Sequence, residues 1–120
     1  MSLALALLGA GRIGQVHARA IAATGGARLV AVADAVPEAA EALARAHGAT
    51  PRQIDAIAND PQIDAVLICT PTDTHAGLIE QFARAGKAIF CEKPIDLSLA
   101  RVGACLQVVE AEGVPLMIGF

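Results

Sequence analysis

The sequence predicts an α/β fold in which a doubly wound parallel sheet is covered by helices on both faces. Short apolar runs alternate with longer segments of helical spacing along all 120 residues. The apolar runs are continuous rather than alternating, which is typical of strands buried on both faces. Strands that alternate with helices in this way indicate β-α-β units and a parallel sheet. The length fits a single domain, residues 1–120.

The elements follow in order along the chain. Five apolar runs predict strands: Ala4–Leu8, Arg28–Ala33, Asp64–Cys69, Lys87–Cys91 and Pro115–Phe120. Five segments predict helices: Ile13–Ala23, Pro37–His47, Arg52–Asn59, Asp73–Ala85 and Ser98–Glu112. Proline in the first turn and Gly48 after the end bound the second helix, and Ser98 and Gly113 are the expected caps of the last. In the first helix, the apolar residues that share a face are Ile13, Val16, Ala20 and Ile21.

The composition excludes several classes of partner. The net charge is −3, and aromatic residues make up 2% with no Tyr or Trp. The cationic clusters and base-stacking rings of nucleic-acid-binding proteins are therefore missing. No apolar run approaches the roughly 20 residues of a membrane span, and the start lacks the basic region and cleavage signal of a secretory peptide. We expect no nucleic-acid partner, no membrane partner and a cytoplasmic location.

The cysteines and histidines do not form a metal-binding pattern. Cys69, Cys91 and Cys105 contain no C-x-x-C pair, so we expect three reduced, mostly buried thiols. His17 and His75 have no second ligand at metal spacing, and we expect no metal site. For His17 we expect a packing or capping role. For His75 two roles stay open, hydrogen bonding at a helix end and contact with a cofactor.

A glycine-rich turn joins the first predicted strand to the first predicted helix. Gly9, Gly11 and Gly14 form a G-x-G-x-x-G pattern, and Asp34 closes the next strand 20 residues later (34 − 14 = 20). This context is the dinucleotide-binding fingerprint of a Rossmann fold. Gly9 permits the tight turn, Gly11 lets the backbone approach the pyrophosphate, and Gly14 lets helix and strand pack closely. The helix N-terminus then offers N–H groups to the phosphates.

The residues around this turn refine the expected ligand. Asp34 is expected to accept hydrogen bonds from the adenosine ribose and to repel the 2′-phosphate of NADP. Two unit charges ~4 Å apart repel by about 4 kcal/mol at an effective dielectric near 20. The sequence therefore predicts NAD rather than NADP as the cofactor. Arg12 either donates to the pyrophosphate or lies in solvent. Ile13 stands where the tighter G-x-G-x-G turn of an S-adenosylmethionine methyltransferase would have glycine.

Two more polar segments follow predicted strands, and ligands of parallel α/β sheets lie at the carboxyl ends of strands. The first is T-P-T-D-T-H, from Thr70 to His75, and the second is E-K-P, from Glu92 to Pro94. Together, the segments G-A-G-R-I-G-x-x-H, D-A-V-L-I-C-T-P-T-D-T-H and A-G-K-A-I-F-C-E-K-P resemble the glucose–fructose oxidoreductase / inositol 2-dehydrogenase (Gfo/Idh/MocA) family. The resemblance runs from about Ala4 to Phe120.

The resemblance implies an NAD(P)-dependent dehydrogenase of a polyol or sugar with an N-terminal Rossmann domain. It also implies a second α/β domain after residue 120, which carries substrate-binding residues and mediates homo-oligomers. By this resemblance, Lys93 is the catalytic residue beside the nicotinamide and the reacting hydroxyl, and Glu92 contacts the nicotinamide ribose. Thr70, Pro71 and His75 line the cofactor groove, and the bond between Lys93 and Pro94 is often cis. Residues 1–120 alone are expected to bind NAD without turning over substrate.

The chemistry of alcohol oxidation supports a lysine at this place without the resemblance. A cationic ammonium near the reacting oxygen stabilises the developing alkoxide. The alternative for Lys93 is a solvated surface side chain. Two further functions stay open: a non-catalytic dinucleotide-sensing module of the same family, and a member with another reaction, such as biliverdin reduction or dihydrodiol oxidation. An exposed apolar face around Val114–Phe120 predicts self-association.

Overall fold

A computed structural model of the protein describes residues 2–119. It contains one six-stranded parallel sheet with the strand order β3-β2-β1-β4-β5-β6. The strands are β1 (Leu3–Leu8), β2 (Ala27–Ala33), β3 (Thr50–Pro51), β4 (Ala65–Ile68), β5 (Ala88–Glu92) and β6 (Leu116–Gly119). The helices are α1 (Arg12–Ala22), α2 (Pro37–His47), α3 (Ile54–Ala58), α4 (Thr72–Arg84) and α5 (Leu99–Glu112). This strand order is that of the Rossmann fold, so the predicted doubly wound fold is confirmed.

The sheet has a hydrophobic layer on each face. On one face, α4 buries Ile79 and Phe82 completely, together with Ile57 of α3. On the other face, Leu7 and Val32 of the sheet are completely buried within a second cluster. Burial on both faces accounts for the continuous apolar runs of the sequence.

Helix α1 packs through a different face from the expected one. Ile13 and Val16 are nearly half exposed, at 46% and 44%, and only Ile21 of the expected face is buried. The buried residues of the helix are Gly14, Ala18 and Ile21. A Cβ on Gly14 would lie 1.9 Å from the carbonyl oxygen of Gly9, so this position contacts the turn directly. The close approach of the backbone, rather than the largest apolar side chains, sets the orientation of the helix.

The predicted bounds of all five described helices lie within two residues of the observed ones. Helix α2 begins and ends as predicted, with Gly48 in the left-handed region at φ 69°. Ser98 caps α5 by accepting a hydrogen bond from the backbone N–H of Arg101, and Gly113 ends it at φ 70°. The two-residue edge strand β3 was not predicted, because its residues are exposed and carry no apolar run. Phe120, the last residue of the final predicted strand, lies outside the described residues.

Two polar contacts join elements across the fold. The side chain of Lys87 is buried, and its Nζ donates to the carbonyl oxygens of Asp60 and of Ile63, the latter at 2.8 Å. Arg101 of α5 donates to both carboxylate oxygens of Glu80 of α4, at 2.5 and 3.0 Å. This hydrogen bonding from Arg101 lowers the pKa of Glu80 below its ordinary value. The Lys87 contact joins the loop before β4 to the residue before β5, and the Arg101 contact joins α4 to α5. Both contribute to stability.

The three cysteines are free thiols, as expected. Cys91 and Cys105 are buried, and Cys69 is partly buried. Burial raises the pKa of the Cys69 and Cys91 thiols to about 12 and also raises the pKa of Cys105. Within residues 2–119, no three His, Cys, Asp or Glu side chains are grouped as metal ligands. None of the described helices has the length and apolar character needed to cross a membrane.

Candidate dinucleotide site

A groove of about 1090 Å³ opens at the carboxyl ends of the strands. The chain order of the sheet reverses between β1 and β4, and ligands of open α/β sheets bind at such a switch point. The glycine-rich turn follows β1, Asp34 follows β2, and Thr70 and Pro71 follow β4. The topology therefore brings three loops that are distant in sequence to one groove.

The three glycines of the turn differ in what requires them. Gly9 has φ +100°, and a Cβ there would lie 2.4 Å from the carbonyl oxygen of Cys69. Gly14 has no room for a Cβ because of the Gly9 carbonyl. Gly11 has an ordinary φ of −77°, and a Cβ there would meet no heavy atom within 4 Å. The fold itself thus requires glycine at positions 9 and 14. Gly11 instead leaves open space in the groove, which a pyrophosphate group would occupy.

The start of α1 is suited to bind an anion. Gly11 is the N-cap, no side chain caps the helix, and its first turn contains no acidic residue. The first N–H groups of a helix have no partner within the helix and carry a partial positive charge. Arg12 and Ile13, the first helical residues, are exposed and line the groove. A pyrophosphate placed beside Gly11 would meet these donors with no competing carboxylate in that turn.

Asp34 is held in place by the backbone. Its Oδ2 accepts a hydrogen bond from the N–H of Ala10 at 2.6 Å, and its Oδ1 accepts one from the N–H of Val36 at 2.8 Å. The carboxylate therefore connects the glycine turn to the loop after β2. Each carboxylate oxygen accepts more than one hydrogen bond, so both retain capacity for a ribose hydroxyl. Asp34 lines the groove beside Ala35, which carries no charge.

The groove contains seven of the residues singled out in the sequence: Gly9, Gly11, Arg12, Ile13, Asp34, Thr70 and Pro71. Gly14, His75, Glu92 and Lys93 are not among its lining residues. The sequence patterns did not indicate three further residues that line the groove, Gln53, Ile54 and Asp55. No sequence motif marks these residues. They reach the groove because the short helix α3 follows the edge strand β3. Cys69 also lines the groove, but its raised pKa keeps the thiol protonated and unreactive at neutral pH.

His75 stands behind the groove wall rather than on it. Its side chain is 2% exposed, and its two ring nitrogens lie 2.7 Å from the carbonyl oxygen of Pro94 and 2.8 Å from that of Thr70. The expectation that His75 lines the groove is corrected, because both polar atoms of the ring are already occupied by backbone. The alternative role, hydrogen bonding at the start of α4, describes its position.

Lys93 and Glu92 lie at the carboxyl end of β5. The Lys93 side chain is exposed, its N–H donates to the carbonyl oxygen of Gly119 at 3.3 Å, and its bond to Pro94 is cis. Glu92 is partly buried, and its Oε1 lies 3.0 Å from the Nε2 of His17. His17 thus packs against β5, consistent with the expected packing role.

The sequence matches the model of a known family over almost its whole length. That family is described as an oxidoreductase family with an NAD-binding Rossmann fold, and its model covers residues 3–120. This chain belongs to the Gfo/Idh/MocA family. Membership agrees with the observed strand order and with the glycine turn at the switch point.

Relatives of known name within the Gfo/Idh/MocA family include two inositol dehydrogenases. An inositol 2-dehydrogenase of Rhizobium meliloti (strain 1021) is 65% identical over 120 residues, which are 100% of this chain and 36% of that protein. A scyllo-inositol 2-dehydrogenase (NAD(+)) of Bacillus subtilis (strain 168) is 42% identical over 118 residues, 96% of this chain and 34% of that protein.

A solved structure is similar as well. The crystal structure of a myo-inositol dehydrogenase from Corynebacterium glutamicum ATCC 13032 superposes with a TM-score of 0.91 at 41% identity. The superposition covers 99% of this chain and 36% of that one. The chain therefore spans about a third of the length of the relatives that it matches.

Proposed function

We propose that this chain is the cofactor-binding part of an NAD-dependent dehydrogenase that oxidises a secondary alcohol of an inositol or a related polyol. The observation that carries the proposal is the groove at the switch point. There, Gly11 leaves open space beside an uncapped helix start, and a fixed carboxylate, Asp34, lies at the end of β2. The resemblance to proteins named inositol 2-dehydrogenase supports the substrate class.

The residues of the chain have separate tasks in this proposal. The N–H groups at the start of α1 bind the pyrophosphate, with Arg12 at the mouth of the groove, and Asp34 binds the adenosine ribose. Thr70 and Pro71 shape the wall at the end of β4. Bound NAD would supply the acceptor for the hydride. Lys93 holds its ammonium near the substrate hydroxyl and stabilises the negative charge that develops on that oxygen.

The preference for NAD over NADP follows from the charge of Asp34. If half of the ~4 kcal/mol repulsion estimated at 4 Å is realised, the 2′-phosphate loses more than about tenfold in affinity. Ala35 and Val36 supply no cation to offset that loss. One of the relatives is named as NAD(+)-dependent, which supports the same preference.

Calorimetric titration with NAD and with NADP tests this proposal. The unmutated chain should bind NAD at least about tenfold more tightly than NADP, and Asp34→Asn should reduce that ratio. Asp96→Asn is the matched control, because Asp96 also accepts a backbone N–H two residues later but lies outside the groove. Tighter binding of NADP than of NAD would contradict the assignment.

The substrate is tested in the complete protein with NAD and a panel of inositols, sugars and other polyols. We propose that a second domain outside these 120 residues supplies the substrate-binding residues, as the longer relatives suggest. We also propose a homo-oligomer in the cytoplasm. Two observations support this: Leu106 of α5 and Met117 of β6 are exposed, and all three thiols are free. A panel in which no polyol reduces NAD would contradict the proposed activity.

A further inference from the structure

Two histidines from different helices contact the residues on either side of Lys93. His17 of α1 packs edge-on against the ring of Phe90, with ring centroids 5.1 Å apart. Its Nε2 also contacts Glu92 at 3.0 Å. Phe90 and Glu92 are two residues apart on β5 and therefore point to the same face of the sheet. His17 thus fixes the side chain of the residue directly before Lys93.

His75 of α4 holds the residue directly after Lys93. Its ring lies between the carbonyl oxygens of Pro94 and Thr70. Carbonyl oxygens only accept hydrogen bonds, so a neutral ring, which has one N–H, donates to one of these carbonyl groups and packs against the other. The buried ring therefore ties the segment that contains Lys93 to the loop at the end of β4.

The other side of Glu92 is closed by β6. A Cβ on Gly119 would lie 2.6 Å from the Oε2 of Glu92, so this glycine leaves the room that the carboxylate occupies. The backbone N–H of Lys93 donates to the carbonyl oxygen of the same glycine. Glu92 is thus enclosed between α1 and β6, and Lys93 has a backbone fixed on several sides although its side chain is exposed.

We propose that His17 and His75 are positioning residues, here called the histidine clamp, that hold Lys93 in place for proton handling at the substrate hydroxyl. The proposal rests on the proposed dehydrogenase function. His75 is buried, and His17 contacts Glu92 and Phe90, so each acts through a neighbour of Lys93 rather than on cofactor or substrate. A displacement of a reacting group by about 1 Å costs on the order of 100-fold in rate. Loss of the clamp should therefore lower kcat much more than NAD affinity.

Substitutions at His17 test the clamp with an internal rescue. Glutamine can place an amide nitrogen near the position of Nε2 and donate to Glu92, whereas leucine keeps bulk but cannot donate. In the complete protein with NAD and myo-inositol, His17→Leu should lower kcat by at least about tenfold, and His17→Gln should stay within about threefold of the unmutated protein. The dissociation constant of NAD should change by less than about threefold in both. His47→Gln, in the last turn of α2, is the control and should leave kcat unchanged.

His75 should not be rescued by glutamine. Glutamine lacks the planar ring that spans the two carbonyl groups, and its N–H donors, which lie on one atom, can reach only one of them. His75→Gln should therefore lower kcat by about 100-fold while NAD affinity changes little. A second readout needs no substrate: hydrogen exchange at the Lys93 amide should become at least about tenfold faster in His17→Leu and His75→Gln, but not in His17→Gln.

The outcomes separate the clamp from the proposed function. An unchanged kcat in His17→Leu, or equal losses of kcat and NAD affinity, would overturn the clamp. Because His75 is buried, its variant could fail to fold. In that case the two variants at the partly exposed His17 decide whether the clamp exists. If the unmutated protein oxidises no polyol, the proposed function fails and amide exchange decides. Faster exchange in His17→Leu but not in His17→Gln supports the clamp, and equal exchange overturns it.

Discussion

Single methyl groups added to the phosphate turn should separate folding from cofactor binding. Gly11→Ala places a Cβ in open space at an ordinary backbone conformation. Gly14→Ala, three residues later, places a Cβ 1.9 Å from the carbonyl oxygen of Gly9. The two variants make the same chemical change in the same turn. They differ only in whether the protein or the ligand occupies the space.

The magnitudes follow from these distances. An ordinary contact begins near 3.4 Å, so Gly14→Ala must move α1 away from the turn by about 1.5 Å (3.4 − 1.9 = 1.5). Overpacking costs typically 1–3 kcal/mol, and we expect about 3 kcal/mol, or roughly 12 °C in Tm for a chain of this size. Gly11→Ala replaces a helix N-cap and costs at most about 1 kcal/mol. The same methyl group blocks the pyrophosphate and should lower NAD affinity by about 100-fold, or about 2.7 kcal/mol.

Thermal unfolding and calorimetric titration with NAD measure the two effects. Gly103→Ala, on the exposed face of α5 with nothing within 4 Å of its Cβ, is the control. It should raise stability by up to about 1 kcal/mol and leave NAD binding unchanged. If Gly11→Ala binds NAD as tightly as the unmutated chain, the turn does not bind the pyrophosphate and the reasoning is wrong.

Three further outcomes test two polar contacts of the fold and the burial of one thiol. Lys87→Met should lower the free energy of unfolding by about 2 kcal/mol, because two carbonyl groups lose a buried donor. The control is Lys93→Met at an exposed position, which should change that free energy by less than about 0.5 kcal/mol. Denaturant unfolding measures both. Glu80→Gln should cost about 1 kcal/mol at pH 7. Arg101 lowers the pKa of Glu80, so this stabilisation is fully present above pH 4.5, the value of a free glutamate, and is lost as the pH falls through the lowered pKa. The difference in Tm between the variant and the unmutated protein should therefore disappear at low pH. Cys69, whose pKa is about 12, should not react with iodoacetamide in the folded chain at pH 8, and rapid alkylation would contradict its burial.

Local signals in the sequence identified most of the fold. Helix α2 was bounded correctly because Pro37 and Gly48 act within their own turns. The face of α1 was wrong because its orientation depends on one backbone approach at Gly14, which an apolar periodicity does not show. Strand β3 was missed because two exposed residues pair only at the edge of the sheet. Local chemistry predicts elements well, whereas their contacts depend on tertiary packing.

Part of the candidate site could likewise be predicted from sequence motifs, and part of it could not. The glycine turn and Asp34 form a motif of fixed spacing, and the structure brings them together in one groove. The pairing of His17 with Glu92 joins residues 75 positions apart, and no local pattern indicates it. The burial of His75 between two loops is likewise a property of the assembled sheet. Motifs could locate the cofactor, but only the fold shows which residues support Lys93.

The most direct test is an NMR titration of the isotopically labelled chain with NAD. If the dinucleotide binds in this groove, the largest amide shifts will occur between Gly9 and Gly14 and around Asp34, with saturable changes at Thr70. Largest shifts at the opposite edge of the sheet, or no saturable shifts at all, would contradict the assignment of the dinucleotide to this groove.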